Sequence, residues 1–298
     1  MAGEIQVQAQ AARWRSFALR ILVLFAALFA VLAGSELIPD LALHSHPGWP
    51  RLPVRAAGSA LLCVAMIVTY RLMVRWTEKR NADEIGATRA LPLFVTGLAL
   101  GVTLFCAVYA VLYAWGAVAF AGIRVGPGVG VAATVSLGAG VGEEIIFRGV
   151  LYRIFEERFG TMAALLSSAA VFGLMHAFNP GATWESTLAV ALEAGVLLGA
   201  AYALARSLWL PIGLHFGWNF AEGGIFSAAV SGANSQGLIS AKLSGPASLT
   251  GGVFGPEASI EAVAVCLIAS AVILALAIRR GQWIALQPRP GNLDKPSH

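Results

Sequence analysis

Residues 142–149, GEEIIFRG, place two adjacent carboxylates and an arginine in an otherwise apolar stretch. Glu144 and Arg148 are four residues apart, so on a helix they share one face and can form an ion pair. Glu143 lies about 100° around the same helix and faces elsewhere. A charged side chain at the centre of a bilayer costs roughly 2.5–3.5 kcal/mol. The pattern therefore predicts a structural Glu144–Arg148 pair and leaves Glu143 available for chemistry.

Candidate partners for Glu143 lie in two later apolar stretches. FGLMH places Phe172 and His176 four residues apart, and HFGWN does the same for His215 and Asn219. If the helices that carry Glu143 and His176 form an antiparallel hairpin with its turn near residue 160, both side chains lie roughly 22–24 Å from that turn. We therefore expect Glu143, His176, His215 and Asn219 at one depth.

These residue types suit hydrolysis by an activated water. Histidine and glutamate side chains serve as general acids and bases. A second histidine and an asparagine can donate hydrogen bonds to a developing oxyanion, a contribution worth about 3–4 kcal/mol in soluble hydrolases. Ser167 and Ser168 lie two helical turns from His176, and no other serine or cysteine has a better setting. The set favours activated water over an acyl-enzyme.

The same residues offer an alternative use as metal ligands. His176, His215 and Glu143 form the donor set of a two-histidine, one-carboxylate zinc site. The H-E-x-x-H motif is absent, and Asn219 is a poor zinc ligand. We predict no required cofactor and leave zinc assistance open. Glu193, in the middle of an apolar stretch, is a candidate cavity residue.

The composition indicates a membrane protein. The chain is 58% hydrophobic and 12% charged, with a mean hydropathy of +0.75, whereas soluble domains carry about 25% charged residues. A membrane helix needs about 20 apolar residues. We predict an all-α bundle of about eight transmembrane helices, at 16–38, 54–74, 91–120, 129–157, 161–178, 187–206, 208–227 and 260–280.

The basic residues orient this bundle. With the N-terminus inside, the cytoplasmic side receives Arg13, Arg15, Arg71, Arg75, Lys79, Arg80, Arg89, Arg153, Arg158, Arg206, Arg279, Arg280, Arg289 and Lys295. The other side receives only Arg51, Arg55, Arg124 and Lys242. Because positive residues concentrate on the cytoplasmic side, both termini are predicted to be cytoplasmic. The excess of basic residues is thus assigned to membrane topology, and no nucleic-acid partner is expected.

The predicted organisation has six parts. They are a cytoplasmic tail (1–15), helices 1–3 (16–128), a catalytic core (129–227), a flexible external loop rich in Gly and Ser (228–259), helix 8 (260–280) and a cytoplasmic tail (281–298), predicted to be disordered.

EEIIFR at 143–148, FGLMH at 172–176 and HFGWN at 215–219 resemble the motifs EExxxR, FxxxH and HxxxN/D of the CPBP family. These are the CAAX-protease and bacteriocin-processing (Abi) intramembrane proteases. The resemblance implies an eight-helix fold with a catalytic cavity in the membrane and cleavage near its cytoplasmic side. It also implies that Glu143 with His176 activates water, that His215 and Asn219 stabilise the oxyanion, and that Glu144 with Arg148 supports the site.

The sequence thus predicts an intramembrane endopeptidase in the inner or plasma membrane of a prokaryote-like cell. Its expected partners are the lipid bilayer and a membrane protein or peptide, either prenylated or bearing a leader. One alternative is a proton-coupled transporter or channel that uses Glu143, Glu193 and the histidines as a relay, although the broken helices and paired half-repeats of transporters are not evident. A second alternative is a non-catalytic immunity protein.

Overall fold

The computed structural model describes residues 2–46 and 50–286, and most of these residues are helical. The α-helices are α1 (Ala2–Ser45), α2 (Arg51–Glu78), α3 (Ala90–Ala114), α4 (Gly128–Glu144), α5 (Arg153–His176), α6 (Trp184–Val190), α7 (Val196–Ala205), α8 (Trp209–Asn219), α9 (Ala247–Thr250) and α10 (Ile260–Arg279). Short 3₁₀ turns occupy Asp83–Ile85 and Pro256–Ala258.

Each of the eight predicted spans falls mainly on helix. Five helical stretches of the described chain are long and apolar enough to cross a membrane, and the apolar part of α1 adds a shorter one, Phe17–Ala33. The chain is therefore a helical membrane bundle, while the number eight and the side of the termini stay predictions. One predicted boundary is wrong: α3 ends at Ala114 rather than at residue 120.

Gly160 turns the chain back on itself within α5. Its backbone has φ 78° and ψ 172°, a conformation open to glycine because it lacks a Cβ. Beyond this turn Ser168 Oγ donates to Phe147 O at 3.2 Å, and the rings of Phe147 and Phe172 lie 5.0 Å apart. Residues before and after Gly160 therefore form the predicted antiparallel hairpin.

Three helices change from α to π geometry close to the motif residues. The π-helical segments are Ile145–Tyr152, Ala191–Gly195 and Phe220–Ile225. The first begins directly after Glu144, and the third directly after Asn219. Such segments are rare and are frequently found at functional sites.

A glycine seam brings α3 and α8 into backbone contact. A Cβ added at Gly97 or Gly101 of α3 would overlap backbone carbonyl oxygens of α8, and one added at Gly213 or Gly217 of α8 would overlap those of α3. Two residues of this G-x-x-x-G type on each helix permit close approach in a membrane. Because His215 lies between the two α8 glycines, the seam fixes its position.

The segment between α8 and α10 is not the flexible loop that was predicted. Its strand β2 (Ile239–Leu243) pairs antiparallel with β1 (Val118–Ile123), so the fold is not purely α-helical. Further along, Gly232 N donates to Phe254 O at 2.7 Å. These backbone hydrogen bonds give the Gly/Ser-rich segment a defined course that its composition does not reveal.

The beginning of the C-terminal tail is also ordered against the bundle. Thr161 N donates to Ile284 O at 2.8 Å, and Ile284 N donates to Thr161 Oγ1 at 2.9 Å. Arg206 contacts Gln282. The predicted disorder is therefore wrong for residues 281–286, and the rest of that tail lies outside the described residues.

An ionic network joins the helix ends near the Gly160 turn. Arg153 Nη2 lies 2.6 Å from Glu78 Oε1, and Arg20 Nη2 lies 3.1 Å from the same oxygen. Arg80 Nη1 lies 2.9 Å from Glu84 Oε2. This network ties α1, α2 and α5 together at the basic end of the bundle, defined as the end that carries these arginines.

Candidate active site

The predicted pair between Glu144 and Arg148 is formed in the bundle interior. Glu144 Oε1 lies 2.8 Å from Arg148 Nη1, and both side chains are fully buried. Arg148 Nη2 donates to Gly195 O at 3.1 Å and to Ala194 O at 3.4 Å. Its guanidinium carbon lies 4.6 Å from the centre of the Phe172 ring. The buried cation is therefore compensated by a carboxylate, two carbonyls and an aromatic face.

Glu144 has a second partner that the sequence did not indicate. His215 Nδ1 lies 3.0 Å from Glu144 Oε1, the oxygen that also binds Arg148. Since an ionised carboxylate only accepts hydrogen bonds, His215 donates from Nδ1. This contact fixes the orientation of the ring and leaves Nε2 for other partners.

Glu143 and His176 face each other across the hairpin. His176 Nε2 lies 4.0 Å from Glu143 Oε2, too far for a direct hydrogen bond. His176 Nδ1 lies 2.8 Å from Phe172 O. Because a carbonyl only accepts, Nδ1 carries a proton, and in the neutral ring Nε2 is then a hydrogen-bond acceptor near Glu143. Glu143 Oε2 is buried and has no hydrogen-bond partner among the described residues.

A small cavity adjoins these side chains. Its volume is about 20 Å³, which is room for about one water molecule. The predicted residues Phe172, His176, Glu193, His215 and Asn219 all line it. Glu143 is not among the lining residues and adjoins the cavity through its contact with His176.

Three further lining residues with polar side-chain atoms were not predicted. Ser231 and Glu257 come from the segment after α8, and Trp218 precedes Asn219. Glu257 Oε1 accepts from both the backbone N and Oγ of Ser231, each at 2.8 Å. Trp218 Nε1 is buried without a partner among the described residues. Glu257 is a single glutamate in a Gly- and Pro-rich segment, so the sequence gave no indication of its position in the cavity. Trp218 lies within the HFGWN motif.

The alternative of a zinc site at His176, His215 and Glu143 stays open. The described residues contain no group of three or more His, Cys, Asp or Glu side chains that could hold a metal ion. Of the three predicted ligands, His215 is turned by its Nδ1 towards Glu144, while His176 and Glu143 face each other.

Residues 125–221 match the family model described as type II CAAX prenyl endopeptidase Rce1-like. This range contains all three motifs, so the resemblance to the CPBP family is confirmed for it. At the level of the family, the match supports a CAAX-type intramembrane protease. No curated protein and no solved structure matches the chain significantly.

Proposed function

We propose that this protein is an intramembrane endopeptidase in which Glu143 and His176 activate a water molecule. The observation that carries the proposal is the pair of facing acceptors. Glu143 Oε2 is buried and unpartnered among the described residues, and it lies 4.0 Å from His176 Nε2, which is an acceptor in the neutral ring. A water that bridges two polar atoms at this separation satisfies both.

The bridging water would donate one hydrogen bond to each acceptor, which leaves its oxygen lone pairs free for attack. As that oxygen bonds to the carbonyl carbon of a peptide, its proton passes to Glu143 or His176. The tetrahedral intermediate then breaks its C–N bond, and the same proton is delivered to the leaving amine. One water is consumed, and one carboxylic acid and one amine are produced.

His215 and Asn219 are proposed to stabilise the oxyanion. Asn219 has an amide N–H₂, and His215 donates from Nε2 when its ring carries a second proton. Both residues line the cavity beside His176. Glu144 holds His215 by its Nδ1 and is itself held by Arg148, so we assign Glu144 and Arg148 to positioning.

The proposed substrate is a membrane-associated protein or peptide, and the proposed location is the inner or plasma membrane of a prokaryote-like cell. The family description supports a CAAX-type substrate at the level of the family only. The bilayer is the expected environment, and no nucleic-acid partner is proposed.

The test is hydrolysis of a membrane-peptide library by detergent-purified protein. Glu143→Gln keeps the shape of the side chain but removes the base, so cleavage should fall by at least about 10²-fold. Glu185→Gln is the matched control, because Glu185 is a fully exposed glutamate beyond α5. Activity that survives Glu143→Gln would refute the proposal, and activity lost with a metal chelator would favour the zinc alternative.

One observation favours a second candidate, the proton-coupled transporter. Glu193, Glu222 and Glu257 are all buried, and Glu257 N donates to Glu222 Oε1 at 3.3 Å. Carboxyls buried this close together are typical of proton relays. Proton flux into liposomes that is abolished by Glu193→Gln, together with an absence of peptide hydrolysis, would favour transport.

A further inference from the structure

Basic side chains concentrate at the end of the bundle that holds the ionic network. The C-terminal end of α2, the Gly160 turn, the α7–α8 junction and the C-terminal end of α10 meet there. The described Lys and Arg residues at this basic end are Arg20, Arg71, Arg75, Lys79, Arg80, Arg89, Arg153, Arg158, Arg206, Arg279 and Arg280. At the opposite end they are Arg51, Arg55, Arg124 and Lys242.

The cavity lies near the opposite end. His176 is the last residue of α5 and lies about 22 Å from the Gly160 turn at 1.5 Å per residue. Ser231 and Glu257, which line the cavity, belong to the segment that follows α8. This segment also packs on the turn after α5, because a Cβ added at Gly181 would lie 2.7 Å from Val253 Cγ2.

Exposed tryptophans mark the membrane boundary at both ends. Trp76 lies near the basic end and is 65% exposed, while Trp115 and Trp184 lie at the cavity end and are 64% and 77% exposed. Tryptophan is enriched at both membrane–water interfaces. The bilayer therefore lies between the ionic network and the segment that covers the cavity.

We infer that the catalytic cavity lies towards the side of the membrane opposite the cytoplasm, and that the substrates are peptide bonds of membrane-anchored segments exposed there. The inference rests on the proposed function for its substrate and on charge asymmetry for its direction, since short loops rich in Lys and Arg stay cytoplasmic. It departs from the family resemblance, which implies cleavage near the cytoplasmic side. A C-terminal prenylated motif on a cytoplasmic protein would meet the wrong end of this bundle.

The direction is tested by cysteine labelling of the full chain in a bacterial membrane. Asn234→Cys is an exposed loop position at the cavity end, and Thr88→Cys is an exposed loop position at the basic end. We expect a membrane-impermeant maleimide to label Asn234→Cys in intact spheroplasts, and Thr88→Cys only after the membrane is opened. The unsubstituted protein gives the background from Cys63, Cys106 and Cys266, and labelling in denaturing detergent gives the total.

Labelling of Thr88→Cys in intact spheroplasts, or failure to label Asn234→Cys there, overturns the inference. Sealed vesicles of both orientations then test the substrate side with an impermeant peptide that the purified protein cleaves. Cleavage confined to vesicles whose outer face is the cell exterior supports the inference, and cleavage confined to inverted vesicles overturns it. If the purified protein cleaves no peptide, the proposed function fails while the labelling result stands.

Discussion

One carboxylate oxygen of Glu144 accepts hydrogen bonds from two buried side chains, Arg148 and His215. This predicts that the role of Glu144 in stability can be separated from its role in positioning His215. Arg148 Nη1 lies 2.8 Å and His215 Nδ1 lies 3.0 Å from Glu144 Oε1. All three side chains are buried. Removal of the carboxylate therefore leaves one buried charge unpaired and one catalytic ring unanchored.

The size of the effect follows from the burial of the pair. Glu144→Ala leaves Arg148 with two backbone carbonyls and an aromatic face, and loss of one partner of a buried ion pair costs about 3–5 kcal/mol. In the double variant Glu144→Leu/Arg148→Met no charge is left unpaired. Apolar replacement of a buried pair is often neutral or stabilising, although the carbonyls of Ala194 and Gly195 lose their donor at about 1 kcal/mol each. We expect the free energy of unfolding of the double variant to lie within about 2 kcal/mol of the wild-type value.

Catalysis should not recover with stability. Both variants remove the acceptor of His215 Nδ1, so the ring loses its fixed orientation. Loss of one oxyanion donor costs about 10²–10³-fold in kcat, and we expect a fall of this order in the double variant. The assays are the free energy of unfolding from denaturant titration in detergent micelles and the kcat of peptide hydrolysis.

Glu157→Ala is the matched control, since Glu157 is 46% exposed and its partner Arg153 keeps its contact with Glu78 when Glu157 is removed. It should cost at most about 1 kcal/mol and leave kcat unchanged. A double variant as unstable as Glu144→Ala would refute the account of stability. A double variant with wild-type kcat would show that Glu144 does not position His215, and a stable but inactive Glu144→Ala would remove the structural role altogether.

Two further predictions concern packing and pH. Gly217→Ala should destabilise the protein by about 1–3 kcal/mol and lower kcat, because its Cβ would overlap Leu98 O on α3; thermal unfolding and peptide hydrolysis measure the two effects. Burial opposes ionisation of Glu84, but hydrogen bonds from Arg80 and Tyr70 outweigh it and hold the pKa of this carboxyl below its usual value. The stabilisation that it gives is therefore complete above the unfolded pKa of about 4.3 and is lost as the pH falls through the lower folded value, a dependence that Glu84→Gln should remove from the unfolding curve.

Features set by local spacing could be predicted from the sequence. The Glu144–Arg148 pair depends on two residues four positions apart, and it forms even though Arg148 lies in a π-helical segment. The approach of Glu143 to His176 depends only on the position of the turn, and Gly160 supplied it. The first prediction required only the period of the α-helix, and the second required only the position of one turn.

Features set by contacts between distant segments could not be predicted. The contact of His215 with Glu144 requires the close approach of α4 and α8, and no local pattern encodes that approach. Glu257 reaches the cavity because the segment after α8 forms β2 and folds over the site, whereas its Gly- and Ser-rich composition is typical of flexible loops. The π-helical segments could not be predicted either, because the spacing of apolar residues in the sequence does not reveal them.

The placement of those π-helical segments links the fold to the proposed chemistry. A π turn holds about one residue more than an α turn and has weaker packing, so it persists where the surroundings favour it. Arg148, Glu193 and Glu222, the three acidic or basic residues within these segments, are all buried. A regular α-helix would direct the residues after each insertion to a different face, and at least one of these charges would then turn away from its present partners. We therefore regard the local departures from α geometry as the means by which apolar helices direct acidic and basic side chains inward.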